Sequence, residues 1–155
     1  MKPGEPPGFF RKRTNAMTKV SDCIFCKIAA GEVPCIKLVA DECALAFLDI
    51  GPLAEGHVLL IPRDHVVTID QMDPDAAAKM LRHLPALARA VQAATGCAGT
   101  NVLQNNGKAA HQVVPHVHFH IIPRNAGDAF HFNWPAGSYP KGRAEELAEA
   151  IRRHL

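Results

Sequence analysis

The chain has 155 residues, a formal net charge of +2, and 48% hydrophobic residues. That is enough apolar material for one ordinary core, too little charge for a nucleic-acid-binding stripe, and no apolar run long enough to cross a bilayer. An N-terminus without an apolar leader stretch and an odd set of five cysteines point to a soluble cytoplasmic protein in a reducing compartment, with at least one free thiol.

Residues 1–16, MKPGEPPGFFRKRTNA, combine three prolines, two glycines and a basic cluster without periodicity, and are expected to form a mobile extension ahead of a single domain over 17–155. CIFCKIAAGEVP then reads as a compact turn leading into a short helix stopped by Gly31. Strands are predicted at Ile36 to Ala40, Ala44 to Asp49 and His57 to Pro62, forming an antiparallel meander. Asp73 followed by Pro74 is an N-cap and first-turn proline. Leu81, Leu84, Leu87, Ala88 and Val91 recur at helical spacing up to Gly96, with Pro85 kinking or dividing the helix. Strands at Thr100 to Gln104 and Val114 to Ile122 flank the loop NNGKAAHQ, and GRAEELAEAIRRHL makes a final helix. The class is α+β on an antiparallel sheet of about five strands.

Two stretches carry chemistry. In HVHFH, His116, His118 and His120 alternate with Val117 and Phe119, so a strand would project three imidazoles from one face, each about 6.6 Å from the next. That spacing suits adjacent jobs better than convergence on one ion, so at least one of the three does something other than bind metal. Cys23-x2-Cys26 has zinc-gripping spacing, but with no second CxxC the remaining ligands would have to be histidines; a redox pair or two buried cysteines fit the same motif.

HVHFHII resembles the His-φ-His-φ-His-φ-φ signature of the histidine triad (HIT) superfamily, and the resemblance runs from about Cys23 to Arg124 with support from FLDIGPLAEGHVLLIPRDH and NNGKAAHQ. It implies a HIT-like fold and a nucleotidyl hydrolase that works through a nucleotidyl-histidine. His118 would be the nucleophile, His120 the group that assists departure, and His57 a fourth histidine behind them. Asp49 would bind a ribose hydroxyl, with Ile50, Phe47 and Leu53 walling the base. Asn105, Gln112 and the N–H groups around Gln112 and Val113 would hold the phosphate. Where Hint and Fhit relatives carry Ser or Thr, Val113 offers no hydroxyl.

Similarity to bacterial-type members and to galactose-1-phosphate uridylyltransferase implies one structural zinc on Cys23, Cys26, His65 and His116. The resemblance also implies a homodimer built on strand Thr100 to Gln104 and the main helix, and an AMP-like or GMP-like nucleotide as ligand. In the related transferases the third triad position is usually Gln, so His120 favours hydrolysis over nucleotidyl transfer to sugar, and nucleoside phosphoramidates or related nucleotidyl substrates are the expected substrates. A dinucleoside polyphosphate hydrolase and a nucleotide-binding regulator are the alternatives. The tail HFNWPAGSYP, with the only Trp and the only Tyr, is expected to reach toward the pocket.

Overall fold

The computed structural model describes residues 18–131 and 133–155; the extension expected over 1–16 lies outside them. In chain order the elements are α1 (Ile24–Ala30), β1 (Lys37–Ala40), β2 (Ala44–Leu48), β3 (Val58–Pro62), α2 (Pro74–Leu81), α3 (Leu84–Thr95), β4 (Gly99–Gln104), β5 (Phe119–Arg124) and α4 (Arg143–Arg152). The strands form one antiparallel sheet in the order β1-β2-β3-β5-β4. Among the described residues no helix is long and apolar enough to cross a membrane.

Every residue of β3 and four of the five in β2 are buried, because the sheet is covered on both faces. Ala44, Ala46, Val58, Leu60, Val117, Phe119 and Ile121 face α2 and α3, whose Met80, Leu87 and Val91 complete that core. Leu45, Phe47, Leu59 and Ile61 face the other way, against Phe25, Cys26, Ile28 and Ala29 of α1. His120 lies opposite Leu59 in the β3–β5 register, so its side chain belongs to this second face. The two-residue period of the strands thus assigns apolar packing to one side of β5 and chemistry to the other.

Local sequence explains the joints. Asp73 accepts hydrogen bonds from the backbone N–H groups of Asp75 and Ala76, and Pro74 occupies the first turn, a combination worth about 1 kcal/mol at the helix start. Pro85 divides the long helix: α2 stops at Leu81 and α3 begins at Leu84, with the proline at a first-turn position where no N–H is needed. Gly56, at φ +90°, lets the backbone approach α3 so closely that an added Cβ would sit 2.5 Å from the Thr95 methyl.

The last strand departs from the sequence expectation. It begins at Phe119 and not at Val114, so His116 and His118 precede it and only His120 lies within it. Pro115 has no N–H to give a ladder, His116 N–H folds back on Val114 O at 2.8 Å, and Val117 N–H goes to Val66 O at 2.7 Å. The neighbouring strand also ends there, since the β4–β5 register runs out at Gln104 opposite Phe119.

The turn between β1 and β2 is fastened to the helical layer through Asp41. One carboxylate oxygen accepts from Cys43 N–H and Ala44 N–H, each at 2.8 Å, and the other meets Arg82 at 2.8 Å and His83 at 2.6 Å. Burial opposes ionisation here, but Cys43 N–H, Arg82, Ala44 N–H and His83 outweigh it and hold the carboxyl well below the usual range. A folded-state pKa below the unfolded one contributes stability that is fully present above the unfolded value and is lost as pH falls through the folded value. Denaturant unfolding at about pH 7 and about pH 3 should therefore show a larger acid loss for the wild type than for Asp41→Asn, which has no such carboxylate to protonate.

Candidate functional site

Five buried or half-buried histidines and two cysteines gather on the α1 side of the sheet. Phe25, between the two cysteines in sequence, divides them into two clusters: its ring stands edge-on to His116 at 5.8 Å and to His118 at 5.1 Å. Its apolar character between two polar anchors was the available signal for a role that sequence reasoning did not assign.

On one side of Phe25, Cys23, Cys26, His65 and His116 bring one ligand atom each to within 4.8 Å of one another. The Cys23 Sγ to His116 Nδ1 distance is 3.4 Å, Cys26 Sγ to His65 Nδ1 is 3.4 Å, and Cys26 Sγ to His116 Nδ1 is 3.7 Å. Tetrahedral bonds of about 2.3 Å to sulfur and about 2.0 Å to nitrogen set sulfur–nitrogen edges of about 3.5 Å, which these distances match. His116 is fully buried and its Nε2–H donates to Pro62 O at 2.9 Å, leaving Nδ1 as a lone pair aimed at the thiols. A ligating histidine whose other nitrogen is tied to a carbonyl is how proteins fix such a ligand. Burial pushes His116 down to about 4, so the imidazole is neutral and able to ligate at neutral pH. The donor set and its spacing fit a closed, structural zinc.

On the other side of Phe25 lie His118, His120, His57 and Asp49. His118 donates from Nδ1 to the carbonyl of His116 at 2.7 Å, which leaves Nε2 unprotonated. Burial lowers its pKa, with the His116 carbonyl and Asp49 opposing. His57 Nδ1 accepts from Leu53 N–H at 3.2 Å, so its proton sits on Nε2 and is donated to His120 Nδ1 at 2.9 Å. His120 must then carry its own proton on Nε2. Burial, followed by His118 and His57, pushes His120 to about 4, and burial also lowers His57, so the chain of tautomers is set among neutral rings. The His118 and His120 rings are 4.9 Å apart. One ring therefore presents a lone pair and its neighbour an N–H.

Asp49 spends one oxygen on Gly51 N–H at 2.9 Å, while the other lies 3.7 Å from His57 Nδ1. One oxygen of this carboxylate thus holds the turn and the other faces His57. Ile50 is 97% exposed and Leu53 57%, both open to a ligand, whereas Phe47 is 2% exposed and packs under Phe25 as core. In the loop before the triad, Gln112 accepts from Gly107 N–H at 2.7 Å and donates to Val67 O at 2.6 Å, and its own N–H goes to Gly107 O. Its amide thus braces the loop. Among the described residues Val113 N–H has no protein acceptor, and the Val113 side chain is exposed. Asn105 is half-buried at the end of β4, while its neighbour Asn106 ties the loop to Ile69 N–H at 2.9 Å, a role the sequence did not reveal. Trp134 and Tyr139 are exposed, and the residues from Asn133 to Pro140 adopt no regular element.

The HIT domain family model matches residues 30–127. An adenosine 5'-monophosphoramidase of Schizosaccharomyces pombe is 43% identical over 84% of this chain and 98% of its own length. An adenylylsulfatase of Arabidopsis thaliana is 40% identical over 92% of this chain and 74% of its own. Among solved structures, a HIT family protein of Bacillus subtilis superposes with a TM-score of 0.84 at 37% identity, covering 87% of this chain and 98% of that one. A zinc-bound histidine triad protein of Mycobacterium smegmatis superposes with a TM-score of 0.67 at 36% identity, covering 86% and 96%. With the triad geometry in place and a family model matching well over half its length, the chain belongs to the histidine triad family.

Proposed function

We propose that the protein hydrolyses nucleoside phosphoramidates, or closely related nucleotidyl substrates, through a nucleotide transiently bonded to His118. The observation that carries this reading is the pairing of an unprotonated His118 Nε2 with a His120 N–H, each fixed by a hydrogen bond on the far side of its ring. His118 Nε2 attacks the α-phosphorus, the bond to the leaving amine breaks, and that amine takes a proton from His120. The arriving phosphate opposes the burial effect on the imidazoles and so favours one added proton on the His57–His120 pair; His120 then carries N–H on both nitrogens, His57 Nε2 accepts from His120 Nδ1, and the His57 proton moves to Nδ1 on the side of Asp49. Water then attacks the same phosphorus, returns a proton to His120, and releases the nucleotide from His118. Asp49 binds a ribose hydroxyl through the oxygen not used by Gly51, Ile50 and Leu53 flank the base, and Asn105 and Val113 N–H contact the phosphate. The monophosphoramidase and adenylylsulfatase activities in the relatives' names both cleave at an adenylyl phosphorus, as this geometry would.

Leaving-group dependence tests the assignment. His120→Ala should slow substrates with a poorly departing amine by about 10²- to 10⁴-fold and spare those with an acidic leaving group. His57→Ala should reproduce that bias more weakly, because it frees the tautomer of His120 without removing the ring. Equal losses across all leaving groups would remove His120 from proton transfer, and no hydrolysis of any adenylyl substrate by the wild type would refute the reading as a whole.

We further propose that Cys23, Cys26, His65 and His116 hold a structural zinc, supported by their mutual distances and by the zinc-bound relative. The ion would organise α1 and the start of the triad and take no part in the reaction. The chain is also proposed to pair as a homodimer through β4, an edge strand whose Val102 is 42% exposed. Light scattering at micromolar concentration should give twice the chain mass; a monomer would contradict it.

A further inference from the structure

Asp49 and His57 close the two ends of one loop. Asp49 follows β2 and His57 precedes β3; the Asp49 N–H donates to the His57 carbonyl at 2.9 Å, and the His57 N–H donates to Ala54 O at 3.0 Å. Their backbones are thus fixed against each other, and their side chains meet His120 of β5, with one nitrogen or oxygen atom of each of the three within 4.8 Å of the others. The His57 side chain is 2% exposed and that of Asp49 20%.

In the neutral arrangement the carboxylate is not the hydrogen-bond partner of His57. The His57 Nδ1 accepts from Leu53 N–H at 3.2 Å, and Asp49 Oδ2 stands off at 3.7 Å. A nitrogen that gains a proton can no longer accept from Leu53 N–H, and the carboxylate oxygen beside it is able to accept from it instead. Closing that gap to the about 2.8 Å of a charged hydrogen bond takes a movement of about 1 Å. Two titratable groups act on the pair from opposite sides: His118, from the segment entering β5, and Asp49, from the end of β2. Burial pushes both His57 and His120 down, His118 pushes the same way, and Asp49 opposes at both rings.

Resting on the hydrolytic reading, we propose that the Asp49 carboxylate is the electrostatic partner of the protonated His57–His120 pair, and that it thereby decides which leaving groups the protein can expel. In the step concerned the phosphorus–nitrogen bond breaks with its electron pair on nitrogen, and that nitrogen takes the Nε2 proton of His120. The pair returns to neutrality with one proton on His57 Nδ1 and one on His120 Nδ1. Water attacking the nucleotidyl-histidine then returns a proton to His120 Nε2. An amine needs the first transfer and so needs the carboxylate, whereas an acidic alcohol departs as its anion and needs neither.

Asp49→Asn tests this, because its amide keeps an oxygen for Gly51 N–H and turns an N–H toward His57 Nδ1: the turn and the neutral tautomer survive, and only the charge is lost. With an adenosine phosphoramidate of an alkyl amine, kcat should fall about tenfold or more, and the pH above which turnover declines should move about one pH unit lower, since the protonated pair has lost its counter-charge. With the p-nitrophenyl ester of AMP, kcat should stay within about threefold of wild type, which also shows that the variant is folded. In a His57→Ala background the same substitution should add no further preference between the two substrates. Equal losses on both substrates, or unchanged kcat on both, would confine Asp49 to ribose binding and overturn the proposal, as would a preference that persists without His57. Where His120→Ala discriminates between the substrates and Asp49→Asn does not, the role of Asp49 alone falls; where neither discriminates, the hydrolytic reading falls with it. A second measurement needs no variant. In proton–nitrogen correlation spectra of the wild type with AMP bound, His57 Nδ1 should gain a proton, and the Leu53 amide should shift in step, over the pH range in which amine turnover rises. A His57 that stays unprotonated at Nδ1 throughout that range would overturn the proposal.

Discussion

His118→Asn is expected to lower turnover by on the order of 10⁴-fold or more while leaving nucleotide affinity within a few-fold of wild type. The loss is large because nothing nearby can replace the attacking atom. His120 presents an N–H, and the lone pair of His57 is occupied by Leu53 N–H. Affinity survives because the proposed ribose and phosphate contacts come from Asp49, Asn105 and Val113 N–H, none of which is braced by the His118 ring. Titration calorimetry with AMP beside steady-state kinetics separates the two quantities. A parallel fall in both would mean that the ring positions the ligand and does not attack it.

Metal loss should do the reverse, costing structure before chemistry. Elemental analysis is expected to give about one zinc per chain. Its removal, or Cys23→Ser, should lower the midpoint of thermal unfolding by roughly 10 °C or more, since a chain of this size moves about 2–4 °C per kcal/mol and a closed site contributes several kcal/mol. The physical ground is the burial of the four groups: Cys23 and Cys26 are 7% and 2% exposed and His116 is fully buried. Without an ion these are polar groups at close quarters, and burial, opposed by Val20 N–H, raises the Cys26 thiol. His65→Ala should cause a smaller loss, because that ring lies at the half-buried rim of the cluster. A metal-free preparation of equal stability would contradict the assignment.

Much of this was legible in the chain because it rests on local rules. Short apolar runs bounded by turn residues placed the first three strands within a residue or two of their observed limits, and Asp73-Pro74 marked a helix start that the structure keeps. The two-sided use of the triad was also readable, since Val117 and Phe119 enter the helical core while the histidines face α1. What was not readable depends on partners distant in sequence. The late start of β5 follows from where β4 ends and from Val66, which captures the Val117 N–H. Gln112 was read as a phosphate donor, and the sequence did not reveal that Val67, 45 residues away, takes one of its two side-chain N–H groups. Phe47 looked like a pocket wall until Phe25 of α1 covered it. The direction of proton donation from His57 to His120 depends on Leu53, a backbone group that no residue type announces.

The covalent step is the centre of the account, and one measurement reaches it. Wild-type protein mixed with an adenosine phosphoramidate and quenched in neutral denaturant, which spares phosphorus–nitrogen bonds, is digested and analysed by mass spectrometry. The expected result is one added adenylyl group on the peptide carrying HVHFH, localised to His118 and absent from His118→Asn. An adenylyl group on His116, His120 or any other residue, or undiminished turnover by His118→Asn, would contradict the account.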